Sequence, residues 1–209
     1  MNADDIYEKL EKMHPDARCE LNYETQFQFL VAVILSAQCT DKRVNAVVVP
    51  LFARCKTAAD FNALKAEELE DAIRSCGFYH NKAKSILGAA REVVECYNGE
   101  LPSDYEAILA LPGAGRKTAN VVWSELFGGA AVAVDTHVQR VSNRIGLVNS
   151  DTPEKTEKQL VALFDKSKLS RLHHLLIFQG RYTCTARAPK CGECLLKAEC
   201  KYYLNQTAQ

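Results

Sequence analysis

Cys184, Cys191, Cys194 and Cys200 follow the spacing C-x6-C-x2-C-x5-C, a compact run of thiolates suited to chelating a metal centre. Four soft sulfur ligands suit either a tetrahedral zinc or an iron–sulfur cluster, and softness alone does not choose between them. Zinc sites built from four cysteines usually come as two C-x2-C knuckles. Here only Cys191 and Cys194 form such a pair and the outer two stand singly, which favours a cluster. The plain alternative is a set of buried free thiols, but the stretch is rich in Lys, Arg and Pro and offers no apolar core of its own.

A second stretch runs Leu111-Pro112-Gly113-Ala114-Gly115-Arg116-Lys117-Thr118-Ala119-Asn120-Val121-Val122 and reads as a helix end, a two-glycine turn and a new helix start. The first N–H groups of a helix have no partner within it, and glycine permits close approach of a ligand. The helix dipole and the charges of Arg116 and Lys117 add attraction for a phosphate. A bare G-x-G is also an ordinary way to join two helices. Lys117 falls in the first turn, where the dipole disfavours another positive charge and a partly apolar site would disfavour it further. A lysine pushed toward neutrality is a nucleophile; its alternative is a solvated surface side chain.

Asp135, in Ala133-Val134-Asp135-Thr136-His137-Val138, stands at the apparent start of the next helix and could simply cap it. A helix over 115–127 rises ~20 Å, and the segment from Gly128 to Val134 spans up to ~24 Å if extended. The chain can therefore return Asp135 to Lys117, and a carboxylate can cap a helix and still serve catalysis.

The elements that must position these residues read as helical almost throughout. Periodicity and end signals predict helices at about 3–13, 25–37, 41–54, 66–76 closed by Gly77, 81–97, 103–110, 115–127, 135–145, 153–165 and 170–181. Ser103 is an expected cap, as is Thr152 before Pro153. The segment Phe27 to Leu35 is apolar nearly all round and should be a central buried helix.

With 209 residues and 47% hydrophobic content the chain can bury a substantial core. No cationic stretch leads into an apolar segment at the start, and nothing approaches a membrane span, so a cytoplasmic protein without a membrane partner is expected. Cys19, Cys39, Cys55, Cys76 and Cys96 lie singly in apparent helices, as core fillers in a reducing compartment. Lys and Arg total 26 against 26 Asp and Glu, so no global field attracts nucleic acid and any such affinity must come from local contacts. Arg181, Arg187, Lys190, Lys197 and Lys201 gather around the cysteines and could form a basic patch.

The 111–122 stretch, the Val134-Asp135-Thr136-His137-Val138 motif and the cysteine tail, in that order and over nearly the whole chain, resemble the endonuclease III family of base-excision DNA glycosylases. The resemblance implies an all-α, two-domain fold, with a six-helix barrel at 19–129 and a second domain made of 1–18 and 130–209, and a DNA groove between them. It implies a helix-hairpin-helix phosphate clamp that includes Gly113, Gly115 and Arg116, and a [4Fe-4S] cluster on the four cysteines, whose loop would turn Arg187 and Lys190 toward DNA. Lys117 and Asp135 match the family's catalytic lysine and aspartate. Gln38 matches a glutamine that fills the gap left by a flipped base, and Phe78 falls where an apolar wedge is expected. Gln38 could otherwise be a helix end and Phe78 a core anchor. His137 is expected to be structural.

The implied activity is a bifunctional glycosylase and abasic-site lyase for oxidised pyrimidines, working through a lysine Schiff base and β-elimination. Its partner would be double-stranded DNA carrying damaged pyrimidines or abasic sites, met by a monomer in the cytoplasm at the nucleoid. Two alternatives remain at this level. A monofunctional adenine or mismatch glycosylase of the same superfamily lacks a lysine at the position of Lys117, and a non-catalytic DNA-binding module would carry zinc instead of iron.

Overall fold

The structure, a computed structural model, describes residues 2–207. Residues 1, 208 and 209, at the ends of the stretches expected to form the second domain, lie outside the described residues. All regular structure among the described residues is helical, as the sequence predicts, and the chain falls into two compact units, Glu20–Phe127 and Met1–Cys19 with Gly128–Gln209. No described helix is long and apolar enough to cross a membrane.

The unit Glu20–Phe127 is organised on α2 (Gln26–Ser36), in which every residue from Phe27 to Leu35 is buried. Thr25 and Gln28 form a capping box at its start. The fully buried Gln28 amide does more than cap: its Nε2 donates to the carbonyls of Phe52 (3.3 Å) and Cys55 (3.0 Å). That ties the start of α2 to the end of α3 (Asp41–Arg54). At the other end of α2, the buried Lys82 of α6 (Tyr79–Cys96) donates to the Leu35 carbonyl at 2.9 Å, a cation placed where helix carbonyls lack partners. α4 (Ala58–Asn62) and α5 (Ala66–Ile73) pack on α6, while α7 (Tyr105–Ala110) pairs with α8 (Arg116–Phe127), which in turn lies on α2.

The other unit joins α1 (Ala3–Met13) to the C-terminal half of the chain: α9 (Thr136–Ile145), α10 (Pro153–Leu163), α11 (Leu169–Phe178) and α12 (Lys201–Thr207). Its core includes Ile6, Leu10, Val138, Val141, Leu160, Leu172, Leu176 and Leu196. Leu196 lies between two of the four cysteines in sequence, so the cysteine loop is pinned to this core rather than merely attached to it.

Several boundaries differ from the sequence reading, each for a local reason. α7 is capped by Asp104, whose side chain accepts from the Ala107 N–H, and not by Ser103. α5 stops at Ile73, short of Gly77. After Phe178 the chain widens into a π-helical turn, Gln179–Thr183, instead of continuing α11. α4 and α12 were not anticipated. The solitary cysteines are not helical core fillers as a group: Cys19, Cys39, Cys55 and Cys76 lie outside the helices, only Cys55 and Cys76 are buried, and Cys96, the one within a helix, is exposed.

Candidate active site and cysteine recess

The turn between α7 and α8 is built by two glycines with different duties. Gly113 has φ +81°, and a Cβ there would stand 2.6 Å from Cβ of Ser85 and 3.3 Å from Cδ1 of Ile34, so both conformation and space require glycine. A Cβ on Gly115 would meet nothing within 4 Å. Gly115 is therefore not needed for packing within the protein, and its exposed position leaves room for another molecule's backbone. The Ala114 N–H closes the turn on the Leu111 carbonyl at 2.9 Å. Arg116 and Lys117 then occupy the first turn of α8, both exposed. Lys117 stands in solvent and not in the kind of partly apolar site that would disfavour its charge.

Two exposed side chains of the same unit sit on strained backbone. Gln38 (φ 53°) and Phe78 (φ 58°) are two of the three described non-glycine residues with positive φ, a region that bulky side chains rarely adopt without a reason. Gln38 follows the C-cap of α2, so its left-handed conformation also ends that helix. Phe78 is 64% exposed, which removes the reading of a core anchor. Their neighbours brace the loops. His80 Nδ1 meets Glu70 Oε2 at 2.8 Å and its ring stacks on Tyr79, centroids 4.0 Å apart. Burial, and then the adjacent Cys39 thiol, push the Cys76 thiol up to about 11.

Asp135 is the N-cap of α9. Its Oδ1 accepts from the N–H groups of both His137 and Val138 at 2.8 Å, and the residue is half-buried. The same helix carries two side chains whose importance sequence reasoning missed. Arg140 donates to the carbonyls of Gly180 (2.9 Å) and Cys184 (Nη2 at 3.1 Å, Nε at 3.2 Å). Arg144 donates to the carbonyls of Thr185 (2.8 Å) and Ala186 (2.9 Å), reaches the Cys184 sulfur at 3.6 Å, and lies over the Tyr202 ring, 4.4 Å from its centroid. Arginines four apart on a helix that also carries the apolar Val141 and Ile145 are the signal that could have revealed them. His137 is structural: Nδ1 contacts Arg140 Nη2 at 3.2 Å, and a Cβ on Gly180 would come within 2.8 Å of the His137 Cβ.

All four cysteines of the tail line one recess, together with Ile145, Pro189, Leu196, Tyr202 and Tyr203, enclosing about 360 Å³ including the part open to solvent. The apolar surroundings come from Ile145 of α9 and from the tail's own Leu196. Among the described residues no three His, Cys, Asp or Glu side chains close on the position of a single ion. Burial pushes the Cys191 and Cys194 thiols up; the Leu196 N–H and the Gln179 amide pull Cys194 partly back. Gln179 Nε2 lies 3.3 Å from that sulfur. Four soft donors in an apolar recess, with N–H groups aimed at two of the sulfurs, fit an iron–sulfur cluster in chemistry. Arg187, Lys190, Lys197 and Lys201 are exposed around it.

Residues 31–166 match the HhH-GPD superfamily of base excision DNA repair proteins. Endonuclease III of Bacillus subtilis is 47% identical over 93% of this chain and 89% of its own length, and that of Rickettsia conorii 46% over 96% and 95%. The chain belongs to the endonuclease III family. Two solved structures of endonuclease III with DNA, one a trapped covalent intermediate and one a non-covalent complex, are each 44% identical with a TM-score of 0.90, covering 99% of this chain and 99% and 97% of theirs. A thermostable thymine-DNA glycosylase at 24% identity and TM-score 0.86 shares the fold.

Proposed function

We propose that this chain is a bifunctional DNA glycosylase and abasic-site lyase that removes oxidised pyrimidines from double-stranded DNA, with Lys117 as nucleophile and Asp135 as the assisting carboxylate. The observation that carries the reading is the 44% identity over 99% of both chains to an endonuclease III solved as a trapped covalent intermediate with DNA. A covalent adduct requires a nucleophile on the enzyme. Lys117 is an amine in the first turn of α8, next to a glycine turn at a helix start, a setting that suits a phosphate.

The target base is inaccessible inside a duplex, so the nucleotide is first turned out of the stack, at least cost for lesions that already pair or stack poorly. Phe78, exposed and on left-handed backbone, fits the wedge, and Gln38, with both donor and acceptor on its amide, fits the gap opposite the orphaned base. As the base departs with the electron pair of its bond to C1′, the sugar becomes oxocarbenium-like, and the Asp135 carboxylate stabilises that charge. The Lys117 amine bonds to C1′ and loses a proton. Ring opening then gives the Schiff base. Loss of a C2′ proton expels the 3′ phosphate with cleavage of the C3′–O3′ bond, and water hydrolyses the imine to free the lysine. A panel of duplexes, each with one defined lesion, tests this reading when base release is scored separately from nicking. Oxidised pyrimidines should be released and nicked together, and release without nicking would favour a monofunctional enzyme.

We assign the cysteine recess to a [4Fe-4S] cluster held by Cys184, Cys191, Cys194 and Cys200. When bound, the cluster supplies a four-point crosslink that fixes the loop. The loop then presents Arg187 and Lys190 to a phosphate backbone. Protein purified without air should contain about four irons and four sulfides per chain and absorb broadly near 400 nm. Stoichiometric zinc without iron would overturn the assignment.

A further inference from the structure

Gln179 begins the π-helical turn that leads into the first cysteine of the tail, a short element often found where a helix is adapted to function. Its backbone carbonyl accepts from the Cys184 N–H at 2.6 Å, while its side chain, 1% exposed, reaches the sulfur of Cys194 at 3.3 Å. One residue therefore engages two of the four tail cysteines. On its other side the amide Oε1 lies 2.7 Å from Nε2 of His14, a buried residue just past α1 and far away in sequence. The His14 ring is itself fixed edge-on to Phe178, centroids 6.3 Å apart.

Protonation arithmetic fixes the orientation of this chain of contacts. A ligand sulfur is a thiolate and can only accept. The Gln179 amide must then turn its N–H to Cys194, leaving Oε1 for His14, which must carry its proton on Nε2. The opposite amide orientation would face a carbonyl lone pair toward a thiolate in an apolar recess. We propose, resting on the cluster assignment above, that Gln179, held by His14, is a positioning residue that donates a hydrogen bond to the Cys194 ligand and thereby sets the cluster's reduction potential and its retention. Hydrogen bonds to cluster sulfurs withdraw electron density and favour the more reduced state, and partners of ligands commonly govern metal affinity by about ten-fold or more.

The test uses the iron-loaded full chain and three variants. Gln179→Leu removes the N–H with little change of volume. Gln179→Glu keeps an acceptor for His14 but removes the donor, and His14→Phe leaves the amide in place but unheld. Redox titration should give a more negative midpoint for both Gln179 variants and a smaller shift in the same direction for His14→Phe. Bleaching near 400 nm under chelator should be about ten-fold faster in the Gln179 variants. A potential unchanged in every variant that loads iron would overturn the proposal, since a purely structural role speeds bleaching without moving the midpoint. If Gln179→Leu fails to load, Gln179→Glu and His14→Phe decide by the same midpoint. Wild-type protein that binds zinc and no iron overturns the cluster assignment instead, and the proposal falls with it.

Discussion

Lys117→Ala protein should fold, bind lesion DNA and form no borohydride-trapped adduct with it. Lys117 is exposed and contributes nothing to the core, so truncation at Cβ leaves α8 intact and adds a good helix former. Reduction by borohydride captures only an imine, and an imine needs an amine on the enzyme. With that amine gone, trapping should fall to background on intact lesions and on preformed abasic sites alike. Far-ultraviolet circular dichroism and a binding titration on the same preparation separate lost chemistry from lost structure. Trapping at the wild-type rate by folded variant protein would mean that another amine is the nucleophile.

Asp135→Asn should have a different signature. The cap consists of Oδ1 accepting from the His137 and Val138 N–H groups, and an asparagine oxygen can accept both bonds, so α9 should keep its start. What disappears is the negative charge that favours an oxocarbenium-like sugar. Base release in single-turnover assays should slow by about two orders of magnitude, about 2.7 kcal/mol of barrier. Borohydride trapping on a preformed abasic site should persist, because no base has to leave. A release rate within a few-fold of wild type would reduce Asp135 to a helix cap.

What the sequence disclosed depended on how local each signal was. The buried α2 was legible because its apolar run from Phe27 to Leu35 leaves no polar face. Thr152 and Asp135 were legible as caps because capping joins neighbours along the chain. α4 was missed because five residues are too few to show a period. Ser103 and Asp104 are both good caps, and the fold chooses Asp104. The unequal duties of Gly113 and Gly115 depend on Ser85 and Ile34, which no local pattern connects to the turn. The walls of the cysteine recess, the grip of Arg140 and Arg144, and the link from His14 through Gln179 all join residues far apart in the chain. Spacing named the four sulfurs but not what surrounds them.

The sharing of α9 has a consequence for how this unit comes apart. Asp135 closes the first turn of the helix, and Arg140 and Arg144, from the same ten residues, hold the carbonyls of Gly180, Cys184, Thr185 and Ala186. An opening that frees the loop takes from the two guanidinium groups their acceptors on it, and fraying of the helix lets go of the loop. The two therefore belong to one cooperative opening unit, a single foldon in the language of hydrogen exchange. The capped amides of His137 and Val138 should then exchange faster when the loop is released, which makes them distant reporters on the integrity of the cysteine recess.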